Sequence, residues 1–375
     1  MDTHLPIGTE HDGNPVRLLA PFSSAFSTAF EAGLVSVIIP TYNREQFLDQ
    51  TIASVVAQEY RPIEIIVVDD GSSDNTKELI STWRRELEDS AGLELRYIFQ
   101  NNSGAPAARN RGMLESRGEF LQFLDSDDCL HRSKIDLHVK SLEHRPTADF
   151  AYGPIKELED PAHTIYCQSE MTPRKMALKQ VVNPAFQTSG PLCRRSMFAK
   201  VGMWNEGIAP MEDWELFARA TVMGCLGAYV RDAIVYHRMD VADRLRWKGD
   251  KKRLEQYLNG RFVQLESMLA HASSALRHDR QFCDLIAMEL TRVVSKGIVS
   301  GWNGDFTYRL CQARSITKSP SLLIILASAS LVRRNMDEVS AAHYFLIFPW
   351  IYFRFRGSLA RLRRLISGLP RASVY

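Results

Sequence analysis

The chain lacks the signatures that identify several large protein classes. It has no G-x-G-x-x-G and no G-x-x-x-x-G-K-S/T, so the phosphate cradles of dinucleotide-binding and P-loop proteins find no support. Its six cysteines, at positions 129, 167, 193, 225, 283 and 311, form no C-x-x-C pair and no zinc spacing. A reduced, cytoplasmic setting is the expectation. The start, Met1-Asp2-Thr3-His4, carries no basic and apolar leader pattern, so no signal peptide is expected. No apolar run reaches the ~18–20 residues that cross a bilayer. Charge of one sign is also scarce: 46 Lys and Arg against 44 Asp and Glu leave +2. A dedicated nucleic-acid binder would show a basic excess, so no nucleic-acid partner is expected.

What is present is an ordinary globular composition, 45% hydrophobic and 24% charged over 375 residues. That length supports two domains, or one domain with an extension. Residues 1–33 mix Gly, Pro, Ser and His without periodicity and read as an amino-terminal extension. From Leu34 the pattern changes. Leu34–Ile39 is β-branched and nearly continuous, as for a strand buried on both faces, and Ile63–Val68, Leu93–Phe99 and Glu119–Leu124 read as further strands. Between them, Arg44–Gln58, a segment capped by Ser73 or Asp74 and ending near Leu87, and Gly104–Arg117 read as helices. The alternation predicts an α/β domain with a mostly parallel sheet covered by helices. A helix from Ser133 to His144 and a strand at Ala148–Tyr152 follow. Residues 153–172 read as an irregular loop, Leu192–Arg195 as a short strand, Ser196–Gly202 as a short helix. Met211–Met223 reads as a helix and Ala228–His237 as one strand. The module closes near 240, and residues 241–375 form a helical region with a basic, apolar end.

Right-handed crossovers bring the carboxyl ends of the first strands to one edge, where open α/β sheets bind ligands. Three unusual loops meet there: Pro40-Thr41-Tyr42-Asn43, Asp69-Asp70-Gly71-Ser72 and Asp125-Ser126-Asp127-Asp128. The last places three carboxylates in four residues at a strand end. Hard divalent cations are the usual partners of such oxygens, and they in turn hold phosphates. An acidic turn capping the next helix, at Ser133 or Asp128, is the competing explanation. Asp70 could accept from a base or ribose, or from the backbone of its own turn. Tyr42 could stack on a base or simply pack. Arg109, in the small-residue run Asn102–Asn110, could pair with a phosphate. Glu212 and Asp213 suit a helix dipole, or a general base on an acceptor hydroxyl. His237 suits a metal, or plain packing.

Taken together, Val35–Arg44, Val67–Asp74, Asn102–Gly112, Phe123–Asp128 and Glu212-Asp213 resemble glycosyltransferase family 2, with its GT-A fold, from about Val35 to His237. The resemblance implies an inverting transferase that uses a nucleoside-diphosphate sugar, a UDP- or dTDP-sugar being usual, and Mn²⁺ or Mg²⁺. By it, Thr41, Tyr42, Glu45 and Asp70 line the nucleoside pocket, and Arg109 sits near the diphosphate, with Glu212 beside the donor. Asp125 and Asp127 form the D-x-D pair, with His237 completing the metal site. Asp213 is the catalytic base. The acceptor would be a glycan or a lipid-linked sugar, as in polysaccharide and cell-envelope synthesis. Processive members carry Q-x-x-R-W, where this chain has Asp243-Arg244-Leu245-Arg246-Trp247, so one sugar per encounter is expected.

Two other functions compete: a sugar-phosphate nucleotidyltransferase, and a non-catalytic nucleotide-sugar-binding protein. The first wants a glycine-rich basic loop after the first strand, and Pro40–Arg44 is poor in glycine. Near the carboxyl end, the aromatic-apolar run Tyr344–Phe353 is followed by Arg354, Arg356, Arg361, Arg363 and Arg364, with no acid after Glu338. Residues 344–366 thus suit the surface of an anionic membrane on its cytoplasmic face, or a helix packed on the domain or on a second copy.

Overall fold

The structure, a computed structural model, describes residues 30–166, 169–239, 250–299 and 316. Residues 1–29, the 243–247 segment and the basic, apolar end at 344–366 lie outside the described residues.

The core begins with β1 (Glu31–Thr41), α1 (Glu45–Val56), β2 (Ile63–Asp69), α2 (Thr76–Glu86), β3 (Leu93–Phe99), α3 (Ala105–Glu115) and β4 (Gly118–Phe123). β1 lies between β2 and β4 and pairs in parallel with both, and β3 extends the sheet beyond β2. Side chains alternate across β1. Val35, Val37 and Ile39 meet Leu48, Ile52 and Val55 of α1 and Ile80 of α2. Ile38 faces the other way, into a layer with Met113 of α3, Leu121 and Phe123. Every residue from Leu34 to Thr41 is buried, which explains the near-continuous apolar run. Each such aliphatic side chain contributes about 1.5–3 kcal/mol by leaving water. α3 seats closely because Gly112 has no side chain: a Cβ there would lie 2.4 Å from Ile38 Cγ2.

β5 (Cys129–Leu130), α4 (Lys134–His144), β6 (Phe150–Tyr152), β7 (Ile155–Glu157), β8 (Thr164–Tyr166), α5 (Pro173–Val182), β9 (Leu192–Arg194), α6 (Arg195–Val201), α7 (Glu212–Val222), β10 (Gly227–Tyr229) and β11 (Val235–His237) follow. The main sheet has seven strands in the order β10-β6-β9-β4-β1-β2-β3, with β9 antiparallel to both its neighbours. A second sheet, β5-β11-β7-β8, sits beside the acidic turn. The fold is thus the expected α/β class, mainly parallel with helices on both faces.

Several expectations need correction. β1 begins at Glu31 and runs through Pro40, because Pro40 stands at a register position and the strand still bonds beyond it: Asp70 N–H donates to Thr41 O at 2.8 Å. The span expected as one strand at 228–237 is two strands in different sheets, β10 and β11, separated by Arg231-Asp232. Residues 153–172, expected as an irregular loop, hold β7 and β8, and α5 follows them. α2 begins at Thr76, and Asp74 serves its start by accepting from Thr76 N (3.1 Å) and Oγ1 (2.6 Å). Ser133 makes no side-chain cap bond to α4.

α8 (Lys251–His271), α9 (Ser274–His278) and α10 (Arg280–Val299) supply the expected carboxyl-terminal helices. They build a second core with α5 and α7, in which Trp214, Ala218 and Val222 meet Leu258, Phe262, Leu265, Ile286 and Leu290. The other side of α7, through Leu216, Phe217 and Ala220, belongs to the layer under the main sheet. No helix among the described residues is long and apolar enough to cross a membrane.

Candidate active site

The loops after β1 and β2 hold each other. Asn43 takes a left-handed turn, φ 51°, which asparagine tolerates better than most residues. Its N–H donates to Ser72 Oγ at 3.0 Å, and its Oδ1 accepts from Ser73 N at 2.8 Å. Tyr42 is left half exposed at the rim, and Thr41 is buried with no hydrogen-bond partner for its hydroxyl. Glu45 reaches the start of α2, accepting from Asn75 Nδ2 (3.0 Å) and N (3.2 Å). The turn role that Asp70 could have filled belongs to Asp69, which accepts from Ser72 N at 2.8 Å and Tyr97 Oη at 2.7 Å. Asp70 instead shapes the loop into α3. Its carboxylate accepts from Gln100 Nε2, Ser103 N and Gly104 N, each at 2.8 Å.

Arg109, one turn into α3, is buried and joins two distant acids. One guanidinium nitrogen donates to Asp125 Oδ1 at 2.8 Å and the other to Glu212 Oε1 at 3.0 Å. Its plane lies over Trp204, 4.7 Å from the ring centroid. Burial opposes the charge, but the two carboxylates outweigh it and hold the guanidinium firmly protonated. Asp125 has its own carboxyl pushed up by burial, against the pull of Arg109.

Asp128 is not the helix cap that its position in the turn allows. Its carboxylate lies 2.7 Å from His237 Nδ1 and accepts from Ser189 Oγ at 2.7 Å. Burial alone would raise its pKa. The imidazole and these hydrogen bonds more than offset that and hold it low. Arg238 locks the same turn to α1: it donates to Asp127 O at 3.3 Å and to Gln50 Oε1 at 2.5 Å, and stacks over Phe47. Asp127 is pushed up to about 6 by burial and by its acidic neighbours Asp128 and Asp125, with His237 opposing. Ser189, Trp204 and Arg238 carry no motif of their own. Only the third acid of the turn offered a sequence signal for Asp128.

The residues fit a hard divalent cation. Three carboxylates crowd one turn; burial first and then their mutual repulsion favour protonation of Asp127, and a cation would relieve the repulsion. With Nδ1 of His237 on a carboxylate, Nε2 is the nitrogen suited to a metal. Among the described residues, no three His, Cys, Asp or Glu side chains converge into a set that could hold an ion alone. An ion at this turn would therefore need ligand phosphates and water to complete its shell, as in Mg²⁺-type sites.

The remaining acid stands at the start of α7. Met211 before it takes φ 96°, a strained conformation for a side chain of that size. Asp213 is pushed up to about 7, chiefly by burial and then by the Glu212 charge, with Arg109 opposing. A carboxyl titrating near neutrality is matched to proton abstraction at ordinary pH. The Arg109 bridge therefore brings the acidic turn and the start of this helix to one place, and Asp70 holds the loop that leads into the helix carrying Arg109.

Comparison with known proteins bears on this geometry. Residues 36–202 match the sequence profile of Glycosyl transferase family 2. An uncharacterized glycosyltransferase of Rickettsia felis is 39% identical over 109 residues, 29% of this chain and 17% of that protein. One from Rickettsia conorii is 30% identical over 190 residues, 49% of this chain and 30% of that protein. The chain thus spans less than a third of either relative. Among solved structures, S. aureus TarS 1-349 in complex with UDP superposes with a TM-score of 0.54 at 18% identity, covering 79% of this chain and 87% of that one. At that identity the likeness is one of fold.

Proposed function

We propose that this chain, whose residues 36–202 match the family model of Glycosyl transferase family 2, moves a sugar from a nucleoside-diphosphate sugar to a hydroxyl of a glycan or lipid-linked acceptor. One observation carries the reading. Arg109 ties Asp125 of the acidic turn to Glu212, next to Asp213, so a cation-and-phosphate site and a base tuned to about 7 share one sheet edge. The UDP held by the S. aureus neighbour supports a nucleoside diphosphate as the donor's leaving group.

In this reading Asp127 and Asp125 hold the cation with His237, and Asp128 orients the imidazole. Bound there, Mg²⁺ or Mn²⁺ offsets the charge of a diphosphate leaving group. The loop of Thr41 and Tyr42, the Asp70-supported turn and Glu45 border the nucleoside. Asp213 takes the proton of the acceptor hydroxyl as its oxygen bonds to the anomeric carbon. The bond from that carbon to the diphosphate breaks on the opposite side, and the configuration inverts. Contact of residues 344–366 with the cytoplasmic face of an anionic membrane belongs to the same proposal, and vesicle flotation tests it.

The deciding experiment is a thermal-shift panel of nucleoside diphosphates with Mn²⁺, followed by product analysis with the matching nucleotide sugars. Release of nucleoside diphosphate is expected. Release of pyrophosphate would identify a nucleotidyltransferase instead, and binding without release a non-catalytic protein.

A further inference from the structure

We infer that α8 is part of the catalytic apparatus: Gly260 and Arg261 are positioning residues that hold the two sides of the Glu212–Asp213 turn. The inference rests on the transferase reading for what the turn does, though not for how it is held. α8 lies beyond the family match, which ends at residue 202.

Two independent contacts carry it. On one side of Asp213, the chain passes through Pro210 and the strained Met211. α8 reaches that turn only because residue 260 is glycine. A Cβ there would stand 2.7 Å from Pro210 O and 3.1 Å from Met211 Cβ, closer than real side chains approach a backbone oxygen. On the other side, Trp214 is clamped. The Arg261 guanidinium lies 3.8 Å from the centroid of its ring, and its indole Nε1 donates to Gln180 O at 2.6 Å. Arg261 is itself fully buried and directed by Glu289 of α10 (2.9 Å) and Val181 O of α5 (2.8 Å). The next residue, Glu215, accepts from Ser267 of α8 at 2.6 Å and pairs with Arg219, one turn on, which donates to the carbonyls of Val201 and Met203.

The physical logic follows from Met211. A left-handed methionine persists only where its surroundings over-determine it. The surroundings here are the Gly260 face of α8 and the stacked Arg261–Trp214 pair. They fix the pitch at which α7 starts, and hence where the Asp213 carboxyl stands relative to the Arg109 bridge. Stacking of a desolvated guanidinium on tryptophan is among the stronger non-covalent clamps available to a buried side chain.

The test uses the full chain. Arg261→Met removes the cation and keeps the bulk. Gly260→Ala adds one methyl against the turn and, as a helix substitution, is otherwise favourable. Both are expected to lower kcat for nucleoside-diphosphate release about 100-fold, the cost of misplacing a catalytic group by on the order of 1 Å. KM for the donor is expected to stay near the wild-type value. Arg261→Lys, which keeps a cation over the ring, recovers part of the loss. Leu290→Ala, in the same helical core but away from the turn, should lower the melting temperature and leave kcat unchanged. Hydrogen exchange at residues 211–217 gives a readout free of activity, and both α8 variants should lose protection there. Wild-type kcat and wild-type protection in both would overturn the inference, as would an equal loss of kcat in folded Leu290→Ala. If the wild type turns over no nucleotide sugar, the transferase reading is what fails, and the exchange data alone decide whether α8 holds the turn.

Discussion

The Asp128 carboxylate and the His237 imidazole lie 2.7 Å apart across 109 residues of sequence, joining the acidic turn to the last strand of the second sheet. Asp128→Asn keeps the shape and loses the charge that orients the ring. Affinity for Mn²⁺ in the presence of a nucleoside diphosphate should fall about 10–100-fold, as for other carboxylates behind a metal-binding histidine. Calorimetric titration measures it, and unchanged affinity would remove His237 from the site.

With Asp213 as the proposed base, transfer should have an acid limb. With its carboxyl at about 7, the base is ionised above that pH and protonated below it, so turnover should fall roughly tenfold per unit as pH drops beneath 7. Asp213→Asn should cost about 10²–10⁴-fold in kcat at every pH while nucleotide binding persists. Stability should move the other way. The folded-state value lies above the unfolded one, so the stability contributed by this group is full below about pH 4 and lost as pH rises through 7. Asp213→Asn should therefore unfold at a higher denaturant concentration than the wild type at pH 8.

With Asp127 as the proposed cation ligand, donor binding should depend on the cation. Chelation of divalent ions should weaken binding of the nucleoside diphosphate by about tenfold or more, because a diphosphate then meets an acidic turn without a counter-ion. In Asp127→Ala the difference between chelated and Mn²⁺-supplied samples should vanish. A fluorescent nucleotide titrated in both buffers reads the effect directly.

Arg109→Met should separate architecture from chemistry. It leaves Asp125 and Glu212 facing each other without their shared cation. The cost should be about 2–3 kcal/mol in a urea titration, less than for a fully buried pair because Asp125 remains one-third exposed. Both nucleotide affinity and turnover should suffer.

Gly112→Ala tests the seat of α3 on the sheet. The new methyl would meet Ile38 Cγ2 at 2.4 Å and Val68 Cγ2 at 3.2 Å. Overpacking of this kind costs about 1–3 kcal/mol, well above the helix-propensity gain of under ~1 kcal/mol from losing glycine. A denaturant midpoint that rises would show that α3 can shift freely.

The central sheet could be read from residues because Leu34–Ile39 and Ile63–Val68 are long and mostly apolar, and helix-length spacers separate them from each other and from Leu93–Phe99. The second sheet could not. β7, β8 and β11 span three residues each, too few for any alternation to register, and their pairing joins positions far apart in sequence. α5 had a signal that went unused. Thr172 caps it through Lys175 N, with Pro173 in the first turn. Within the site, the acidic turn, Asp70, Arg109 and Asp213 stood out as unusual residues at strand ends and helix starts. Their partners did not. Nothing in the local sequence of Arg109 says that its charge is shared between Asp125 and Glu212. Asp128 looked like a cap because its true partners, Ser189 and His237, become neighbours only when both sheets are formed.

The second core has a practical consequence for solubility. Ala177, Leu178 and Val181 of α5, with Trp214, Ala218 and Val222 of α7, are covered by side chains from α8 and α10. A fragment ended near residue 240 would uncover all six as one continuous apolar patch, a surface that recruits other copies. Such a fragment should be recovered from cells as aggregate even with the whole family-matched segment intact.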